Sequence, residues 1–272
     1  MRVVNVLSFV GLFYLLFVIC PAPAALAAEL QTPAQTYTIC ADAEPPPWAY
    51  WKRDAAGNKT KTITGSSVET VQTAFAMIGK AVQFDGNMPW KRCLMMVETG
   101  KVDFAMDGYF DEERAQRFDY SAHYNTLTPQ VFFRAADPIE ITNVSDLKRY
   151  RGCGVLGASY AHYGLKPDEL DLGTGYDSLV RKLNARRCDY FVEELEVVSA
   201  YRMIGTDYLS DPRIRHAAVP GAKAPSKYLI TGKNSRGAQL LPQLNDALAA
   251  LIKSGEAATI WKRHAGNLPY LP

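Results

Sequence analysis

The chain has 272 residues, 48% of them hydrophobic, with 30 basic residues against 28 acidic ones. That near balance, with no basic run or stripe, excludes nucleic acid as a natural partner, because binding a phosphate backbone requires a concentrated positive field. Beyond a leader, about 245 residues remain, enough for one large domain or two modest ones, each with its own core.

The leader comes first. Arg2 supplies a positive start, Val3 to Ile19 is almost wholly apolar, and Pro21 to Ala27 is rich in small residues, which predicts a secretory signal peptide over residues 1–27. Ala25-Leu26-Ala27 fits the cleavage site, so the mature chain is expected to start near Ala28 and to be periplasmic. Lipid anchoring at Cys20 fits less well, because Phe17, Val18 and Ile19 are bulky where a lipobox needs small residues. No later stretch is apolar for long enough to span a bilayer. With Arg2 in the leader, 29 of the 30 basic residues remain against 28 acidic ones. Cys40, Cys93, Cys153 and Cys188 form neither a CxxC nor a zinc-type Cys/His grouping. In an oxidising compartment an even number of cysteines points to disulfides, and all three pairings are open at this stage.

Tyr37 to Ala41 reads as a short strand running into Glu44-Pro45-Pro46-Pro47, with Trp48, Tyr50 and Trp51 on the loop beyond. Val68, Val71, Phe75 and Ile78 recur at helical spacing, with Ser66-Ser67 as the expected cap and Gly79 as the stop. Ala81 to Phe84 is a strand, Pro89 opens a helix carrying Cys93, Leu94 and Val97, and Val102 to Met106 is the next strand. Strands alternating with helices predict a parallel sheet. Thr128 to Arg134 is extended, and Asp137-Pro138 breaks it. A second α/β unit follows: a short helix at Leu147, a strand from Cys153 to Leu156, a helix through Leu179, Val180 and Leu183, and a strand from Tyr190 to Val192. Lys227 to Thr231 is a lone strand, and Leu244, Leu248, Leu251 and Ile252 mark an amphipathic helix ending at Gly255. The expected architecture is α/β with two lobes, each a mainly parallel sheet flanked by helices. Residues 28–133 and 227–272 would build the first lobe, and 134–226 the second. Two extended hinge crossings, Thr128 to Arg134 and Lys227 to Thr231, would join them.

Gly152-Cys153-Gly154-Val155-Leu156-Gly157 spells the dinucleotide fingerprint, but there the motif is itself the strand rather than the turn after one. Gly157-Ala158-Ser159-Tyr160-Ala161 approaches the hydrolase GxSxG elbow without its last glycine. Both leave a strand ending in a small-residue turn whose backbone amides suit an anion. His123, His162, His216 and His264 are scattered singly and read as satisfied surface or core groups, with no metal or cofactor implied. Glu193, Glu194 and Glu196 follow a strand. They read either as a solvated helix start or as partners of a buried cation. Trp48, Tyr50 and Trp51 are candidates to line a cleft.

Taken in order, the segments resemble the extracellular solute-binding proteins of the polar amino-acid type, the soluble receptors of ATP-driven importers. Trp90-Lys91-Arg92 through Gly100-Lys101-Val102-Asp103 resembles their helix and "GKxD" strand start. Asp107-Gly108 through Glu113-Arg114 and on to Phe118-Asp119-Tyr120-Ser121-Ala122-His123-Tyr124 resembles "TxER…FSxPY". Leu147 to Ser159, Arg187-Cys188-Asp189-Tyr190-Phe191, and Ala247 through Trp261 resemble the start of the second lobe, the "GRxDAxxxD" strand and the closing helix.

The resemblance implies a clam-shaped, monomeric, noncatalytic receptor without cofactor, which gives its solute to a membrane permease. Carried over residue by residue, it implies that Arg114 grips a ligand carboxylate, a task suited to a guanidinium fork. Ala158, Ser159 and Tyr160 would add donors, Glu194 would bind the ligand ammonium, and Trp48 would pack against the ligand. Asp42, Tyr50, Asp107, Gly108 and Tyr109 complete the expected ligand-binding set. Within the implied lobes, Cys40 ends a strand beside the helix start at Cys93, and Cys153 starts a strand beside Cys188, so Cys40–Cys93 and Cys153–Cys188 are the expected disulfides.

The sequence also departs from the family pattern. Small hydroxyl residues before the arginine are absent, Tyr109, Phe110 and Asp111 fill a block one residue shorter, and Glu194 is longer than the usual Asp. A smaller, aromatic or differently charged solute fits these departures as well as a standard α-amino acid does. Two rival readings of the cleft are a dehydratase-like enzyme using Glu194 or Asp107 as acid or base, and an accessory or sensor protein with a vestigial cleft.

Overall fold

Two β-sheets organise the chain, and two short backbone crossings connect them. The computed structural model describes residues 35–41, 43 and 46–272. The leader expectation, with its cleavage site and Cys20, and the expected contact Asp42 lie outside these residues.

The first sheet starts with β1 (Thr36–Cys40). The hairpin β2 (Tyr50–Arg53) and β3 (Lys59–Thr64) precedes α1 (Ser66–Met77), and β4 (Ala81–Asp85), α2 (Trp90–Glu98) and β5 (Phe104–Gly108) follow. β4, β1 and β5 lie side by side and parallel, a pairing that requires crossover connections such as α1 and α2. α3 (Glu112–Ala115), β6 (Phe118–Tyr120) and β7 (Asn125–Thr126) come next.

The second sheet contains β8 (Pro129–Arg134), β9 (Gly152–Val155), β10 (Leu170–Gly173), β11 (Tyr190–Glu194) and β12 (Ile214–Ala218), in the order β10-β9-β11-β8-β12. α4 (Tyr176–Asn184) precedes β11, and α5 (Leu195–Ala200) follows it directly. β13 (Ser226–Gly232) then returns to the first sheet, antiparallel between β5 and β6, ahead of α6 (Arg236–Ser254) and α7 (Glu256–Ala265).

Each sheet has its own core. Val68, Val71 and Phe75 of α1 meet Leu244, Leu248 and Leu251 of α6 over one face of the first sheet, while Cys93 and Val97 of α2 pack with Phe118 and Ile230 on another cluster. In the second sheet Leu179 and Leu183 of α4 pack on Phe132, Cys153 and Phe191. Cys40 is bonded to Cys93 and Cys153 to Cys188, each pair with its Cα atoms 5.8 Å apart. Among the described residues no helix is long and apolar enough to cross a membrane.

Strand pairing moves the expected unit boundaries. Pro129–Arg134 pairs with β11 and β12, so this strand belongs to the second sheet and does not close the first unit at residue 133. Lys227 to Thr231 likewise lies within β13 of the first sheet. The crossings run just before these two strands. The Leu127 N–H donates to Pro225 O at 2.9 Å, and Thr126 pairs with Ser226. The Thr128 N–H and hydroxyl both donate to the Glu196 carboxylate, at 2.9 and 2.7 Å, which ties one crossing to the start of α5.

The first four residues of the GxGxxG segment are strand β9, and Leu156 and Gly157 form the turn after it. A Cβ on Gly152 would meet the Tyr190 hydroxyl at 2.7 Å, and one on Gly154 the Tyr160 ring at 2.8 Å. Gly152 and Gly154 therefore let tyrosine rings lie against the strand.

Candidate functional site

On the first lobe, the start of α1 positions the residues that face the second lobe. Ser66-Ser67 is not its cap. The N-cap is Gly65, with a φ of 139° and no side-chain hydrogen bond. The amides of Ser66 and Ser67 instead donate to Pro47 O and Trp48 O, at 2.7 and 3.0 Å, which docks the helix on the Trp48 loop. The Trp48 indole N–H donates to Asn125 Oδ1 at 2.7 Å and the ring lies 6.1 Å from Trp261, so its orientation is fixed from two sides. The Ser67 hydroxyl is free of capping duty and donates to Asp107 Oδ1 at 2.6 Å, and the Tyr124 hydroxyl donates to the same oxygen at 2.8 Å. Asp107, at the end of β5, has a φ of 66°, a left-handed conformation that Asp tolerates better than most residues. Burial pushes its carboxyl above the ordinary range, against the pull of Lys227, Ser67 and Tyr124.

Tyr109 follows at once, and its carbonyl accepts from Arg114 Nη1 at 2.9 Å, while the Arg114 guanidinium lies 5.7 Å from the Trp90 ring. Lys227, near the start of β13, places Nζ 4.6 Å from the Trp48 ring and 4.6 Å from the Tyr109 ring. Burial lowers the pKa of this amine, opposed by the charges of Asp107, Glu194, Glu193 and Glu196.

The second lobe contributes carboxylates. Glu193 and Glu194 end β11, buried at 9% and 1% relative exposure, so the solvated-helix reading fails for them. Glu193 accepts from the Tyr176 hydroxyl and from the Glu194 N–H. Burial, and then the neighbouring Glu194, raise the Glu193 carboxyl well above its ordinary range, as expected for two adjacent acids that cannot both ionise cheaply. Glu194 Oε1 lies 2.7 Å from His162 Nε2 and accepts from Tyr163 at 3.5 Å. Burial holds the His162 pKa down to about 4, opposed by the charge of Glu193. Although the distance is that of an ion pair, desolvation prevails and a neutral imidazole donates its Nε2–H. Across the gap, the Tyr109 hydroxyl donates to Glu194 Oε2 at 3.2 Å.

Between the lobes lies a cavity of about 630 Å³ at the carboxyl ends of β5, β9 and β11. Crevices at this place in α/β sheets are where ligands bind, and the volume suits a small molecule. The sequence matches the family described as bacterial extracellular solute-binding proteins, family 3, over residues 37–267. The chain belongs to that family.

Among solved structures, this solute-binding protein is similar to the arginine-, lysine-, histidine-binding protein ArtJ from Geobacillus stearothermophilus, with a TM-score of 0.65 and 19% identity over 86% of this chain and 97% of that one. It is also similar to the amino acid ABC transporter substrate-binding protein AbpA from Streptococcus pneumoniae, solved bound to L-arginine, with a TM-score of 0.64 and 19% identity over 84% and 94% of the two chains. A histidine kinase sensor domain with similarity to periplasmic binding proteins gives 0.64 and 21% over 86% and 97%. At these identities the likeness shows the two-lobed fold. No curated protein matches the sequence.

Trp48, Asp107, Gly108, Tyr109, Arg114, Ala158, Ser159, Tyr160 and Glu194 all line the cavity of this binding protein. Tyr50 does not. Its ring turns away to α7, where its hydroxyl lies 2.9 Å from His264 Nδ1, a partner that the loop sequence did not reveal. The Ala158 N–H, expected to point at a ligand, turns back to Val155 O at 3.2 Å and closes the turn. His162, expected to be a satisfied group, does bond Glu194, and it also lines the cavity, which its sequence did not suggest. Lys227, Glu193, Tyr163 and Tyr176 also line it without having been expected there. A larger groove of about 900 Å³ runs along α2 and α3. It shares only Asp111 and Arg114 with the cleft, and its Arg117 is paired to Glu98, so the convergent polar chemistry belongs to the smaller cavity. Among the described residues no three His, Cys, Asp or Glu side chains are grouped to hold a metal ion.

Proposed function

We propose that this protein captures a small polar, amino-acid-like solute between its lobes and delivers it to the membrane permease of an ATP-driven importer. The observation that carries this reading is the division of charge across the cavity: the cations Arg114 and Lys227 come from the first lobe, and the acid pair Glu193–Glu194, in which Glu193 holds its proton more tightly than an ordinary carboxyl, from the second. A zwitterion laid across that gap meets a cation at its carboxylate and an anion at its ammonium. It then gains contacts from both lobes only when they close, and this differential affinity drives closure. The names of similar solved structures, arginine-binding and amino-acid-transporter receptors among them, point to the same solute class.

The cleft is read as noncatalytic. Asp107 and Glu194, the two candidate acid–base groups, each already accept hydrogen bonds from neighbouring side chains and are thereby held as fixed acceptors. The test combines calorimetry against a panel of amino acids with small-angle scattering and mass spectrometry of the recovered ligand. Binding with a smaller radius of gyration and an unchanged ligand mass is the expected result. Conversion of the ligand would establish the enzyme reading, and the absence of binding and compaction across solute classes would remove the receptor reading.

A further inference from the structure

The aromatic pair on the first lobe's side of the cavity already holds a cation, and it belongs to the protein. Lys227 Nζ lies 4.6 Å from the centroids of both Trp48 and Tyr109, within the range at which a ring face attracts an ammonium. None of the three groups is loose. Trp48 is held through Asn125, Tyr109 through Glu194, and Lys227 by its position opposite Asn125 in the β7–β13 pairing.

The amine is also poorly satisfied. An ammonium carries three donors, yet among the described residues its one hydrogen bond is a long contact of 3.5 Å to Asp107 O. The Asp107 carboxylate is directed to Ser67 and Tyr124, and no described carboxylate lies within ion-pair distance of Nζ. A cation enclosed in a protein without a close counter-ion is unfavourable, and here the open side of the group is the cavity that it lines.

Resting on the solute-binding reading above, we infer that Lys227 sets the charge specificity of the site. By filling the aromatic clamp with a tethered ammonium, it excludes amino acids with cationic side chains and selects one whose side chain carries a carboxylate. The missing counter-ion is then supplied by the ligand. A dicarboxylic amino acid would place its ammonium toward Glu193 and Glu194, one carboxylate toward Arg114 and the other toward Lys227. A cationic side chain would meet a like charge where the two rings would otherwise receive it.

The experiment is calorimetric titration of the wild type, Lys227→Met and Lys227→Arg with L-glutamate, L-aspartate, L-glutamine, L-arginine and L-lysine. The wild type is expected to bind an acidic member at least tenfold more tightly than arginine, lysine or glutamine. Lys227→Met should lose at least tenfold for the acidic ligand and gain affinity for arginine or lysine, whereas Lys227→Arg should keep the wild-type order. If the wild type prefers a neutral or cationic member, this inference falls and the receptor reading stands. Binding of no member by any of the three proteins overturns the inference together with the amino-acid reading. Should Lys227→Met fail to fold by circular dichroism, the wild-type order and the charge-conserving variant still decide.

Discussion

His162 is the residue whose protonation the fold opposes most clearly, because burial holds its pKa at about 4 against an ordinary value of 6.5. As pH falls below 6.5 the unfolded chain takes up this proton first, so the folded state loses stability between pH 6.5 and 4 and loses no more below that. The shift corresponds to about 3 kcal/mol. Glu193 acts in the opposite sense: its folded pKa is raised, so its contribution is present at low pH and is lost as pH rises through that value. A comparison of wild type with His162→Gln isolates the histidine. Urea unfolding at pH 7 and pH 4.5 should show the wild type losing about 2–3 kcal/mol more than the variant on acidification. Parallel profiles would mean that His162 titrates normally. Arg114 is tested by binding. Replacement by Ala should weaken a carboxylate ligand by about 2 kcal/mol or more, roughly thirtyfold, with the melting temperature little changed, since its main-chain contact is a single bond to Tyr109 O. Sequence order revealed Arg114 and Glu194 because each sits in a recognisable block. It did not reveal Lys227 or His162, because a lysine opening a strand and a histidine in a short turn look the same locally whether they face water or a cleft. Their surroundings come from distant segments: Trp48 and Tyr109 for one, Glu194 for the other.

The junction of the Trp48 loop with α1 is the most constrained of the connections between elements. Gly65 has a φ of 139°, and a Cβ there would lie 2.1 Å from Trp48 O. Gly65→Ala should therefore cost at least about 3 kcal/mol, from a backbone region nearly closed to other residues combined with a clash against main chain. Chemical denaturation would measure the loss, and a changed tryptophan emission would report that the Trp48 loop had shifted; unaltered stability would show that the helix can start elsewhere. The Cys153–Cys188 bond closes a loop of 35 residues. Replacing both cysteines by Ala should lower stability by about 3–4 kcal/mol on loop entropy alone, checked by the same denaturation series. The elements most legible in the sequence were those with a strong apolar period or a sharp stop: β1, α1, β5, β11, and α6 with Gly255 in a left-handed cap. β12 escaped notice because it is an edge strand exposed at all but its first residue, so Arg215-His216-Ala217 shows no alternation. β10 is only Leu170–Gly173, too short for a period to register, and it is found only through its parallel pairing with β9. The serine pair read as a cap misled because main-chain carbonyls from the Trp48 loop took over the work that a capping hydroxyl would have done.

At the scale of the whole molecule, closure depends on the contacts that the lobes share without a ligand. Tyr109 to Glu194 is a direct hydrogen bond across the cavity, Arg202 Nη2 donates to Ala265 O at 3.3 Å, Val197 packs with Trp48 and Trp261, and the crossings are held by Thr128 with Glu196 and Leu127 with Pro225. Glu194 keeps His162 and Tyr163 as partners on its own lobe, so Tyr109→Phe removes the cross-cleft bond without stranding a buried charge. The expected loss to the closed form is then that of one hydrogen bond to a charged group, about 1.5 kcal/mol, which shifts the ligand-free equilibrium roughly tenfold toward open. Scattering from the ligand-free variant should give a larger radius of gyration than the wild type, and saturating ligand should bring both to the same closed value. Affinity should fall by no more than the same factor, because the variant taxes only the conformational step. If both proteins scatter identically without ligand, the lobes are held by the crossings and by the contacts of Arg202 and Val197 with the first lobe, and the bond between Tyr109 and Glu194 follows closure rather than favouring it.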